Sequence, residues 1–239
     1  VEQDTYIPEV VYIDGHQGHL EKAKPVLEGH ITFMDKASML VAHVVDPQPG
    51  EHILDCCAAP GGKSMHMASL MNNTGAIMSC DIYDHKLELI NQNAERLGVS
   101  IISTKLQDGR YLPDNWKEQF DRVLVAAPCS GLGILQKKLD MRWRKTESLL
   151  IELPPLQLEI LEKASEMVKV NGYLVYCTCT MNSGENEAVL NKFLAIHKNF
   201  IIDPVSYKGA PQAIDGMITT YPPRDHMDGF FMARMNRLS

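Results

Sequence analysis

Asp55-Cys56-Cys57-Ala58-Ala59-Pro60-Gly61-Gly62-Lys63-Ser64 lies between an apolar run, His52-Ile53-Leu54, and a segment with helical character, Lys63 to Met71. A short buried strand that runs into a Gly-Gly turn and then a helix opens a βαβ unit. Small residues in such a turn let the backbone approach a ligand, and the helix that follows offers free N–H groups. Gly-Gly-Lys-Ser also suggests a phosphate loop. That motif requires Gly at position 57, which is Cys57, and Pro60 interrupts it. A purely structural turn explains the two glycines but not the rest of the string.

Outward from this stretch, strands and helices alternate. Ala76 to Cys80 reads as a strand ended by Asp81. Leu87, Ile90, Ala94 and Leu97 recur at helical spacing, with Gly98 as a C-terminal cap. Ile101 to Leu106 and Phe120 to Ala126 read as strands. A long helix is expected after Pro154-Pro155, with Ile160, Leu161, Ala164, Met167 and Val168 on one face. Tyr173 to Cys177 is a strand after Asn171-Gly172. Val189, Leu190, Phe193 and Leu194 mark a helix, and 200–202 and 229–233 are closing strands. The alternation predicts an α/β fold with a mostly parallel sheet covered on both faces. Residues 1–30 read as an irregular lead-in. The expected division is a lead-in over 1–45, packed on a catalytic domain over 46–239.

In parallel sheets ligands bind beyond the carboxyl ends of strands. That gathers 55–63, Asp81, Asp108, 126–130 and 178–180 along one edge. An acid such as Asp81 can accept hydrogen bonds from ribose hydroxyls, although Asp also ends strands as a turn former. Asp108 could receive an adenine amino group or cap a turn. Cysteine is most often a small buried hydrophobe, which suits Cys56 and Cys80. Cys129 and Cys179 stand instead in loops beside Pro, Ser and Thr, where a reactive thiol is favoured.

The 239 residues are 45% hydrophobic and 22% charged, which excludes a disordered chain. No apolar run approaches the ~18 residues of a membrane span, and the acidic, polar start is not a secretory signal. The first residue is Val1, which suggests a fragment of a longer protein. Net charge is −7, against a stand-alone nonspecific nucleic-acid binder. None of the six cysteines has C-x-x-C spacing, so no metal is expected. Reduced thiols in the cytoplasm are the default. One local exception to the acidity is Lys137, Lys138, Arg142, Arg144 and Lys145 around Trp143. The stretch follows the Cys129 loop, so phosphate contact is expected there over a merely solvated face.

D-x-C-A-A-P-G-G-K-S at 55–64, A-P-C-S-G at 127–131, T-C-T at 178–180 and E-N-E at 185–187 together resemble the Sun/Fmu family of RNA cytosine-C5 methyltransferases. The likeness runs from about Gly29, through Asp35-Lys36-Ala37-Ser38, to Asp228-Gly229-Phe230-Phe231. It is nearest to the bacterial branch that acts on small-subunit ribosomal RNA. The resemblance implies a Rossmann-like class I methyltransferase fold, a seven-stranded sheet with one antiparallel strand. It implies S-adenosylmethionine as cofactor, with Cys57, Ala58, Ala59, Pro60, Gly61, Gly62 and Lys63 around its methionine end. Asp81 would then hold the ribose, and Asp108 would lie near the adenine. It also implies an RNA partner, a monomer, and an RNA-binding domain upstream.

Cytosine C5 is a poor nucleophile. A thiolate added to C6 makes the ring an enamine that can attack a methyl donor, after which a base removes the C5 proton. The resemblance implies Cys179 as the nucleophile and Cys129 in release. One departure is Ala126, where the family usually has the Asp of D-A-P-C, placed to bond the cytosine or the cofactor amine. Losing one charge-assisted hydrogen bond costs ~1.5–3 kcal/mol, a rate factor of ~10 to over 100. The second expectation is therefore a catalytically weakened RNA- or ribosome-binding module. Met34 also stands where the family tends to have Gln.

Overall fold

The structure, a computed structural model, describes residues 2–5, 7–13, 18–144, 146–205, 207, 211 and 213–239. A small hairpin, β1 (Glu2–Gln3) with β2 (Val11–Tyr12), and a one-turn helix α1 (Lys24–Leu27) precede α2 (Lys36–Val45). The Asp35 side chain caps α2 by accepting from the Ala37 N–H at 2.8 Å. The alternation then begins: β3 (His52–Asp55), α3 (Gly62–Leu70), β4 (Ala76–Asp81), α4 (Asp84–Arg96), β5 (Ile102–Leu106) and β6 (Phe120–Ala126). There follow α5 (Met141–Arg144), α6 (Ser148–Ser165), β7 (Val168–Thr178), α7 (Glu187–Ile196), β8 (Phe200–Ile202), β9 (Met217–Thr219), α8 (Pro222–Asp225) and β10 (Phe231–Arg237).

The strand order is β5-β4-β3-β6-β7-β10-β8, and β9 also pairs with β10. β3 to β7 are mutually parallel, while β10 runs antiparallel to β7, β8 and β9. The expected seven strands with one reversed are thus seven positions filled by eight strands. β8 and β9 share one edge of β10, opposite Met235–Arg237 and Phe231–Ala233 respectively.

Alternate residues of the central strands feed two apolar layers, as a pleat with period two requires. Ile53, Leu124 and Val175 face α2 and α3. Leu54, Val123 and Leu174 face α6 and α7. Full burial of a side chain of this kind contributes roughly 1.5–3 kcal/mol. Ala58 and Met65 join Leu87 and Ile90 of α4 in a third cluster.

Two expectations are corrected. The long helix does not wait for Pro154-Pro155; it begins at Ser148 and carries both prolines inside. Proline has no N–H to donate, so the carbonyls of Leu150 and Ile151 lose their helical partners. Those two residues are 39% and 77% exposed, where water can replace the lost bonds. Met167 and Val168 are off this helix, because β7 starts at Val168 and Asn171-Gly172 lies within it. Pairing passes from Phe120 with Val168 directly to Arg122 with Tyr173. The surplus residues therefore bulge, with Asn171 at φ 65°. The last strand also runs later than expected, and β9 was not read from the sequence.

Candidate active site

A cavity of about 570 Å³ opens where β3, β4, β5, β6 and β7 end. Its floor begins in the loop after β3. The Cys56 N–H donates to the Leu124 carbonyl at 2.9 Å, and the Ala58 N–H donates to the Cys80 carbonyl at 2.8 Å, so the loop is anchored on both neighbouring strands. Gly61 starts α3 at φ 101°, and a Cβ there would meet Ile90 at 3.2 Å. Of the loop residues, Cys56, Cys57, Ala59 and Lys63 line the cavity. Ala58 turns into the apolar cluster beneath, and Pro60, Gly61 and Gly62 shape the turn from behind.

Asp55 is fully buried under this loop. Its Oδ2 accepts from Ser64 Oγ at 2.7 Å, Ser79 Oγ donates on to Ser64 Oγ at 2.9 Å, and Oδ1 has no partner among the described residues. Burial raises its carboxyl to about 6, against the pull of the Ser64 bond and Lys63.

Asp81 and Asp108 both line the cavity. Asp81, at the end of β4, accepts from the Tyr83 N–H at 3.1 Å and has Lys86 Nζ at 3.9 Å. Asp108 is more heavily engaged. Its side chain takes the Arg110 backbone N–H at 2.9 Å and the Arg110 guanidinium at 2.7 Å, which holds it below the usual carboxylate range. An adenine amine there would share an acceptor already used in a turn.

Cys129 and Cys179 face each other with sulfurs 3.1 Å apart, and the Cys179 N–H donates to Cys129 Sγ at 3.3 Å. The hydrogen bond from Cys129 lowers Cys179 below the ordinary thiol range, against burial and with help from Lys63 and Lys138. The same contact and burial raise Cys129. The two thiols titrate as a pair, and the contact lowers Cys179 while it raises Cys129, which favours a thiolate on Cys179. Burial raises the other four, Cys56, Cys57, Cys80 and Cys177, so they stay as thiols.

The loops carrying the pair are tied by a carboxylate that the sequence reading quoted but gave no role. Glu185, fully buried, accepts from the Ser130 N–H at 2.8 Å, from Ser130 Oγ at 2.5 Å and from Gln157 Nε2 at 3.0 Å. Asn186 accepts from Thr178 Oγ1 at 2.6 Å and donates to the Thr180 carbonyl at 3.0 Å. The signal available was E-N-E closely following the T-C-T string. Ala126 lines the cavity and pairs with Cys177 across the strands. Lys63 also lines it, 5.7 Å from the centre of the Phe230 ring.

The expected basic stretch divides. Lys138 lines the cavity. Lys137 turns to Asp35 and Asp228, the latter at 3.2 Å, so its charge is locally neutralised. Trp143 is 89% exposed on α5. Lys145 and the side chains of Arg142 and Arg144 lie outside the described residues.

Comparison with known proteins agrees with this architecture. The family described as 16S rRNA methyltransferase RsmB/F matches residues 42–236. A probable ribosomal RNA small subunit methyltransferase B of Bacillus subtilis is 41% identical over 87% of this chain and 48% of its own length. A 28S rRNA (cytosine(4447)-C(5))-methyltransferase of Homo sapiens is 36% identical over 89% of the chain and 28% of its own. The chain thus spans about half the length of the bacterial relatives it matches. Among solved structures, PH0851 superposes with a TM-score of 0.90 at 32% identity, covering 99% of this chain and 53% of that one. NSun6 from Pyrococcus horikoshii with SFG gives 0.83 at 28%, covering 93% and 57%. The acids on successive strand ends and the open turn into α3 form a donor set that fits S-adenosylmethionine, the methyl donor of this family. With sequence, fold and cavity in agreement, the chain belongs to the RsmB/F family of S-adenosylmethionine-dependent RNA methyltransferases.

Proposed function

We propose that this chain carries the transfer of a methyl group to C5 of a cytosine in RNA, through a covalent bond from Cys179 to C6. The observation that carries the reading is the Cys129–Cys179 pair, 3.1 Å apart in a cavity that also holds Asp81. S-adenosylmethionine, when bound, supplies an electrophilic methyl group. The chain's own residues do the rest. Asp81 is placed to accept from ribose hydroxyls, and Lys63, Cys57 and Ala59 to line the methionine end. Cys179, as thiolate, attacks C6 of an unpaired or flipped cytosine. Cys129 releases its proton to solvent once Cys179 is held in the C6 adduct, then takes the C5 proton as a thiolate, and the C5–H electron pair forms the C5–C6 double bond while the Cys179–C6 bond breaks to return the Cys179 thiolate. Glu185 acts through Ser130 as a positioning residue for Cys129.

The substrate best supported is small-subunit ribosomal RNA, the one named for the bacterial relatives, in a cytoplasmic setting. Residues 46–239 form the proposed catalytic unit and 1–45 a lead-in, with further RNA contacts supplied by sequence beyond this stretch. Lys138, Arg142, Arg144 and Lys145 are the proposed phosphate contacts.

Incubation with unmethylated small-subunit RNA, followed by denaturing electrophoresis, tests the roles. Cys129→Ala should trap a covalent RNA adduct and Cys179→Ala should abolish it; the opposite pattern overturns the assignment.

Ala126 favours a second reading, a module that binds RNA and turns over slowly, because the cavity lacks a carboxylate at the end of β6. Ala126→Asp should raise the single-turnover rate by ~10-fold or more with little change in melting temperature. Equal rates would remove the ground for this second reading.

A further inference from the structure

Away from the catalytic cavity, three side chains from three separate segments converge. Glu9 comes from the loop between β1 and β2, His43 from the last turn of α2, and His66 from the middle of α3. One ligand atom from each lies within 4.8 Å of the others. Glu9 Oε1 is 2.8 Å from His43 Nε2 and 3.0 Å from His66 Nε2. The Tyr207 hydroxyl lies 3.4 Å from His43 Nε2, with its ring stacked on the imidazole at 4.3 Å.

We infer that Glu9, His43 and His66 form a binding site for a divalent transition-metal ion of the zinc class. Two imidazole nitrogens and one carboxylate oxygen are a donor set that zinc takes, leaving a fourth position for water or a neighbouring hydroxyl. Donors at about 2.1 Å from a tetrahedral zinc stand roughly 3.4 Å apart, so each Glu9–histidine separation need open by only about half an ångström. Both histidines are well buried, with side chains 11% and 6% exposed, which fixes their rings. A second cavity, about 310 Å³, is lined by Glu9 and His66 together with Met34, Met39 and Met65, and gives the ion a way in. Cysteine spacing predicted no metal, and these ligands, 57 residues apart between Glu9 and His66, carry no local motif. The ion would fasten the N-terminal hairpin to the helix that carries the Lys63 loop.

Zinc chloride titration by calorimetry tests this, in a Cys129→Ser/Cys179→Ser background so that the paired thiols cannot take the ion. One saturable equivalent is expected. Glu9→Gln, a change on the surface arm, and His43→Gln should each weaken it about tenfold or more, with circular dichroism confirming that each variant is folded. Cobalt(II) in place of zinc should give visible bands that the same variants lose. Absence of saturable binding, or binding as tight as the parent's in folded Glu9→Gln and His43→Gln, would overturn the site and leave Glu9 a hydrogen-bonded clasp.

Discussion

Cys129 and Cys179 are fifty residues apart in sequence, and their sulfurs are 3.1 Å apart in the fold. Because the Cys129 hydrogen bond is the largest influence lowering Cys179, Cys129→Ala should move the alkylation profile of Cys179 to higher pH. Mass spectrometry after brief iodoacetamide exposure across a pH series reads this directly. An unmoved profile would mean that Lys63 and Lys138 set the thiolate. Asp55 makes a second residue-level prediction. Burial raises it from 3.8 to about 6, so the native state holds this proton more tightly than the unfolded chain. Its contribution to stability is complete below about pH 4 and is lost as pH rises through about 6, a swing of about 3 kcal/mol. Asp55→Asn stays neutral throughout. Its melting temperature should therefore gain on the parent between pH 4 and 6 and run parallel above; a constant difference in melts across that range would count against the assignment. That both cysteines reach the cavity was legible because each stands in a short loop after an apolar strand. Their mutual contact was not, since nothing local encodes how two loops meet. Asp55 was visible only as the first letter of a motif, and its isolation from solvent depends on strands far along the chain.

At the level of elements, the loop after β6 and the approach to β10 touch through two glycines. The Gly133 N–H donates to the Cys179 carbonyl at 3.0 Å, and the Gly229 N–H donates to the Gly133 carbonyl at 2.9 Å. A Cβ on Gly133 would fall 1.8 Å from the Gly229 carbonyl oxygen. Gly133→Ala must therefore part the two backbones, displacing Cys179 or Phe230. A misplacement of about 1 Å can cost ~100-fold in rate, and a loss of that order is expected in single-turnover methylation, with a lower melting temperature. Retention of the parent rate would show that the backbone contact is dispensable. Most strands and helices were readable from alternation and periodicity, because buried central strands must be apolar and surface helices amphipathic. α6 misled because Pro was read as a boundary, whereas exposed carbonyls tolerate it mid-helix. β9, three residues long, owes its existence to pairing with β10 and has no pattern of its own.

For the molecule as a whole, charge and topology set the terms of RNA binding. The chain carries a net −7, and Lys137, one of the basic residues expected from the sequence to meet phosphate, is already paired with two carboxylates. Binding of single-stranded RNA should therefore have a shallow salt dependence. At ~0.7 per neutralised phosphate, the four proposed contacts give a logarithmic slope of roughly −3, and Lys138→Ala should reduce its magnitude by about 0.7. Fluorescence anisotropy between low and moderate salt measures it, and a slope steeper than about −5 would reveal a cationic surface not anticipated here. The position of β10 has a further consequence. It lies between β7 and β8 although it is synthesised after both. As the polypeptide leaves the ribosome, β7 waits with one open edge while β8 and β9 have nothing to join. Phe230, at the head of β10, reaches the cavity only once that late strand has slotted in. Translation thus imposes a timetable: the wall that Phe230 supplies is added to the binding pocket only when nearly all of this sequence has emerged.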